Sequence, residues 1–174
     1  MLKSQINLPS SYFDTYIDQV PELSAQAALS VHGIPLIEKH RDRWTSMGEL
    51  VYAPGKWNIN DILQHVIDTE RVFSYRALRI GRGDSTPMPG FDQEVFNNHI
   101  DANNRKIPDI IKELIALRQS TIWLFESMDE KALLREGSAS ELTMNPLALS
   151  FMITGHFIHH VNILEERYYP LLNK

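Results

Sequence analysis

Cysteine is absent from this 174-residue chain. Disulfides, thiolate metal sites and cysteine nucleophiles are absent with it. An excess of basic residues is missing too: 17 Lys and Arg stand against 22 Asp and Glu, a net charge of −5. No basic stripe runs along the chain, so nucleic acid is not an expected partner. No apolar run reaches the ~20 residues that cross a bilayer, so no membrane partner is expected. Met1-Leu2-Lys3-Ser4-Gln5-Ile6 lacks the apolar core of a signal peptide, and a cytoplasmic soluble protein is the expectation. There is no Gly-rich phosphate loop, nucleotide fingerprint or Ser-His-Asp arrangement. Gly81-Arg82-Gly83-Asp84 reads as a helix-end turn. No convincing strand, internal repeat or dividing linker is present. One domain over residues 1–174 follows, with 1–21 as a lead-in, long enough to bury a core without staples.

What the chain does have is histidine. Three of its seven lie in Gly155-His156-Phe157-Ile158-His159-His160. Asn145-Pro146 opens a helix there, as cap and first helical residue, and Pro170 ends it. Positions i and i+4 share a helix face, so His156 and His160 point the same way. Leu149, Met152, Ile153 and Ile163 share that stripe, and His159 falls to its side. Two imidazoles one turn apart can hold one metal ion. The competing reading is a pair of core histidines hydrogen-bonded to neighbours.

Earlier in the chain, Ser10 to Ile17 suggests a short helix whose aromatics staple the N-terminus to the body. Leu23 to about Lys39 reads as a helix kinked or split by Gly33 and Pro35. Residues 41–47 suggest a further helical turn. A second long helix opens at Trp57-Asn58-Ile59-Asn60-Asp61, capped by Asn58, and ends before Gly81. His65 shares a face of it with Ile62, Thr69, Val72 and Arg76, and Asp61 and Asp68 flank the ring. A histidine on an apolar face beside carboxylates suits a metal ligand, and equally a surface Asp–His pair. Asp68 is the candidate acid or base. Asp61 lies in the first turn, where it can serve the helix dipole instead. Glu70 is rotated about 140° from His65, which points to a structural pair with an arginine. Arg71 and Arg76 can bind an anionic substrate or pair with nearby acids.

Residues 84–106 form a long connection that suggests a wall over the metal end. His99, within it, reads as a surface residue. A third helix runs from Pro108 to about Met128. Residues 129–144 form a second connection, with a turn at Gly137-Ser138. Four amphipathic helices make an all-α four-helix bundle, and the long connection permits a crossover between helices two and three.

The stretch Trp57-Asn-Ile-Asn-Asp-Ile-Leu-Gln-His-Val-Ile-Asp68, with Gly155-His156, His159-His160 and Glu166-Arg167-Tyr168, resembles the DinB-like superfamily. These are damage-inducible, metal-dependent four-helix bundles, unrelated to the polymerase that shares the name. The resemblance spans about Tyr12 to Leu172. It implies an up-down-down-up bundle and a divalent ion, zinc or nickel, on His65, His156 and His160. His159 then becomes a neighbour of the site. Some relatives are thiol transferases or thiol-dependent isomerases using a low-molecular-weight thiol, and others are hydrolase-like. The expected function is therefore a metal-dependent transferase or hydrolase acting on a small electrophilic substrate. The alternative is a non-catalytic metal-binding stress-response module. A fourth protein ligand such as Asp68 favours the module.

The last expectation is association. Phe151, Thr154, Ile158 and Val161 face away from His156, and Leu63, Ile67 and Leu78 face away from His65. A helix apolar nearly all round must be covered on both sides, which predicts a homodimer through these faces. Cover by residues 1–21 or 129–144 is the alternative.

Overall fold

The computed structural model describes residues 1–172. Its helices are α1 (Asp14–Ile17), α2 (Ala25–Val31), α3 (Ile34–Met47), α4 (Ile59–Gly81), α5 (Gln93–Asn98), α6 (Ile107–Glu126), α7 (Glu130–Leu133) and α8 (Pro146–Ile163). Gly33 splits α2 from α3 as expected, but α3 continues unbroken to Met47. Asn58 caps α4 by accepting from Asp61 N, and Asp61 accepts from Asn58 N in return. Asp61 thus serves the helix start. Asn145 caps α8 with Pro146 inside the first turn. Beyond Ile163 the helix widens into a π turn over Leu164–Tyr168 before Pro170.

Together α2 and α3, then α4, α6 and α8, form an up-down-down-up four-helix bundle. The pairs Gln64–Arg105, Arg71–Glu113, Ser74–Thr121 and Arg82–Ser127 advance together along α4 and α6. Those two neighbours are therefore parallel, which is why residues 82–106 must run the length of the bundle between them. By contrast His65 meets His156, and Gly81 lies against Pro146, so α4 and α8 are antiparallel.

Residues 129–144 are not all irregular. A hairpin pairs β1 (Gly137–Ala139) with β2 (Leu142–Met144). Its turn is Ser140-Glu141, with φ of 52° and 63°, rather than Gly137-Ser138. Two left-handed residues suit a two-residue hairpin, but neither is the Gly or Asn that usually marks one.

Apolar residues fall into two clusters, one around Phe73, Phe125 and Phe151 and one around Trp44, Ile67 and Phe157. Between them lies a buried polar belt: His65, Thr69, Glu70, Arg118, Thr121, Thr154 and His156. Arg118 grips Glu70 in a fork, Nε to Oε1 and Nη2 to Oε2, both at 2.9 Å.

The faces on which the homodimer expectation rested are covered within the chain except at Leu78, which is 39% exposed. Phe151, Thr154, Val161, Leu63 and Ile67 are buried within the chain, and Ile158 is partly buried against the core. α8 is covered by α1, α2 and α4, so it needs no second copy to bury its outer faces. This also explains a helix, Pro146–Leu171, whose length and composition would let it cross a membrane: 72% of its apolar 18-residue stretch is buried in the bundle.

Candidate metal centre

The antiparallel pairing of α4 and α8 sets His65 opposite the His156–His160 face. His65 Nε2 lies 3.0 Å from His156 Nε2, and His160 Nε2 lies 3.1 Å from the same atom. The three donor atoms lie within 4.8 Å of one another. Nitrogens held ~2.0–2.1 Å from one tetrahedral ion stand about 3.3 Å apart, so the trio fits an ion with a small expansion. His156 Nε2 carries either one proton or one lone pair. It cannot pair fully with both neighbours, so the arrangement is a poor hydrogen-bond set and a good donor set.

Burial keeps the rings neutral. It lowers the His65 pKa to about 4, helped by His159, and pushes His156 and His160 well below the usual histidine value. Neutral imidazole is the form that binds metal. The same shifts give the metal-free protein a pH dependence. Each ring takes a proton more readily unfolded, near pH 6.5, than folded. The unfolded state therefore binds more protons as pH falls. Stability should be full above about pH 6.5 and decline below it, the His65 contribution being lost by about pH 4 while those of His156 and His160 go on falling. Urea midpoints measured across this range on chelator-treated protein check it. A flat profile would contradict the burial of neutral rings.

His65 and His156 floor a cavity of about 250 Å³ walled by Tyr12, Tyr16, Phe73 and Phe91. Phe91 and Gln93 come from the long connection, which does reach the site. His160 turns toward a smaller hollow of about 130 Å³ beside Trp57. Tyr16 stands edge-on to His156 at 5.2 Å and to His159 at 5.4 Å. It gets there because α1 crosses α8 at a residue with no side chain. A Cβ on Gly155 would sit 1.9 Å from Tyr16 O. Gly155→Ala should therefore lift α1 off the site and cost about 1–3 kcal/mol. Urea unfolding measures the loss. An unchanged midpoint would show that α1 docks elsewhere.

The other residues singled out from the sequence are placed as follows. The Asp68 carboxylate accepts from Gln64 Nε2 at 3.1 Å and pairs with Arg71, turned to the bundle surface rather than to the rings. Burial raises its pKa. His159 lies beside the trio, with Nδ1 3.5 Å from Gln19 Nε2. Arg71 pairs with Glu113, and Glu70 pairs with an arginine as its helix position suggested, though that partner comes from α6. Arg76 is buried beside the cavity and donates to Pro89 O and Ser140 Oγ. His99 is exposed. Sequence reasoning passed over Tyr12, Tyr16 and Phe73. The i, i+4 spacing of the two tyrosines was the available signal.

A comparison with curated protein sequences finds no match. Among solved structures, the fold is similar to that of YfiT from Bacillus subtilis, described as a probable metal-dependent hydrolase with an unusual four-helix bundle topology. The two share 13% identity with a TM-score of 0.71, over 96% of this chain and 93% of YfiT. At that identity the likeness speaks for the fold. The DinB superfamily profile matches residues 21–164, from the residues just before α2 to the π turn after the histidine pair, and the chain belongs to that superfamily.

Proposed function

We propose that the protein is a metal-dependent enzyme whose His65, His156 and His160 hold a divalent ion, zinc or nickel. Its substrate is a small electrophile bound in the aromatic cavity. The observation that carries this is the convergence of three neutral imidazole nitrogens, two of them from rings that line an open cavity. No fourth donor joins them among the described residues. Three protein ligands and an open position are the catalytic pattern, whereas structural zinc has a closed four-ligand shell. A divalent ion in such a site supplies Lewis acidity and ionises a water or thiol near neutral pH.

The chain's own residues do the rest. Burial holds the histidines deprotonated. Tyr16, Phe73 and Phe91 exclude water and offer faces to a flat substrate. No carboxylate is among the side chains lining the cavity. A thiol, with an intrinsic pKa of about 8.5 against about 15.7 for water, is the easier of the two to ionise without such a base, which favours transfer of a low-molecular-weight thiol. Hydrolysis is the second reading, supported by what YfiT is described as doing.

The test is a turnover screen on tag-free protein with a thiol such as cysteine or glutathione and an aryl halide electrophile, with ester hydrolysis in parallel. Turnover should vanish on chelation, return with added zinc or nickel, and be missing in His156→Ala. Turnover unaffected by chelation, or none in any arm from metal-loaded protein, would count against an enzyme and for a module that ties α4 to α8.

A further inference from the structure

Two arginines are buried in this bundle, and they are treated differently. Arg118 is 0% exposed and is matched by Glu70, 2% exposed, in a two-pronged ion pair. Arg76 is 2% exposed and pairs with no carboxylate among the described residues. Its Nη2 donates to Pro89 O at 3.0 Å and Ser140 Oγ at 2.9 Å. Its Nε and Nη1 meet no protein acceptor among the described residues. Its guanidinium carbon stands 5.8 Å from the Phe73 ring and 5.9 Å from the Phe91 ring. The titratable group facing it is Tyr12, and burial disfavours its charge. A buried cation with no counter-charge among the described residues is costly to keep.

Arg76 also ends a row. His65, Thr69, Phe73 and Arg76 sit at i, i+4, i+8 and i+11 on one face of α4. Phe73 spans the middle of it, its ring 6.4 Å from that of His156. Thr69 lines the cavity next to His65, is 3% exposed, and its hydroxyl has no partner. A helical threonine ordinarily bonds back to the carbonyl of residue i−4. Thr45 and Thr154 do so here, at 2.8 and 2.9 Å. Thr69 alone of these three leaves a buried hydroxyl without a partner. Phe91, which lines the cavity, also lines a groove of about 480 Å³ on whose wall Arg76 lies. Arg71 and Arg79 border this groove as well, but each is paired with an acid, Glu113 and Asp84.

We infer that Arg76 binds an oxyanion carried by the substrate, a carboxylate or a phosphoryl group. The substrate then lies along α4, its reacting end at the histidines and its anionic end at the guanidinium. An oxyanion supplies both the missing charge and acceptors for the unused fork. The middle of the molecule is apolar, against Phe73 and Phe91. This rests on the proposed function, because it takes the histidine trio as the reacting end.

Cobalt-loaded protein tests it without turnover. The visible spectrum reports cobalt at the histidines and the change in its coordination when an added carboxylate binds. The probes are dicarboxylates from glutarate to suberate, each against the monocarboxylate of equal length, and 6-phosphonohexanoate. At one chain length a doubly anionic probe should bind at least tenfold tighter than its monoanionic match, and that probe's second group identifies the oxyanion. Arg76→Met should bring the ratio close to one while changing the monocarboxylate affinity less than twofold. If Arg76→Met is not recovered folded, Arg76→Gln, which keeps a donor for Pro89 O and Ser140 Oγ, carries the same comparison. A ratio near one at every length in the parent protein, or a ratio that survives the substitution, overturns the inference and leaves the metal site standing. Cobalt that fails to bind, or a spectrum unchanged by His65→Ala, overturns the metal site and this inference with it.

Discussion

Replacing Arg118 with methionine should destabilise the protein by about 3–5 kcal/mol, the usual cost of stranding one member of a buried ion pair. Glu70→Leu should cost a similar amount for the opposite reason, since it strands a guanidinium that is 0% exposed. The pair sits in the polar belt between the two apolar clusters, where no water competes for either charge. The double variant removes both charges and should be less damaging than either single one, because apolar side chains of similar size can fill the space. Urea midpoints at constant slope measure all three. Single substitutions costing less than about 1 kcal/mol, in the range of an exposed pair, would contradict the burial described here.

Alanine at His65, His156 or His160 should lower affinity for zinc or nickel on the order of 10²–10³-fold each, a share of the large free energy that binds a structural or catalytic ion. Helix content should survive, because Leu63, Ile67, Leu149 and Met152 still bury their faces. Competition with a chromophoric chelator reads the affinity, and far-ultraviolet circular dichroism reads the helix. Asp68→Asn is the informative control. Its carboxylate is held by Gln64 and Arg71, so affinity should change less than twofold. A loss at Asp68 as large as at the histidines would make it a fourth ligand and favour the structural reading.

The parts of this molecule set by local chemistry were legible. Asn58 and Asn145 with Pro146 marked helix starts, Gly33 a break, and the His-x3-His spacing a shared face. Glu70's rotation away from His65 foretold an ion pair but not its partner, because Arg118 lies 48 residues on in another helix. The β1–β2 hairpin was hidden because Ser140-Glu141 adopts left-handed geometry without glycine or asparagine. The all-round apolar character of α8 left two readings, a second copy's interface or cover by residues 1–21 or 129–144, and α1, within 1–21, does pack on α8 together with α2. Tyr16 was seen as a staple and not as part of the site, since its place depends on Gly155 permitting backbone contact. That the Thr69 hydroxyl has no partner and Arg76 no carboxylate among the described residues are facts about what is not nearby, and no spacing rule carries those.

X-ray absorption at the metal edge, on protein purified without an affinity tag, tests the central claim most directly. About one divalent ion per chain is expected, bound by three imidazole nitrogens at ~2.0–2.1 Å and completed by an oxygen or sulfur atom from outside the protein. That signature should be lost in His65→Ala. Protein that binds no divalent ion, or an ion whose imidazole count is unchanged when His65 is removed, would contradict it.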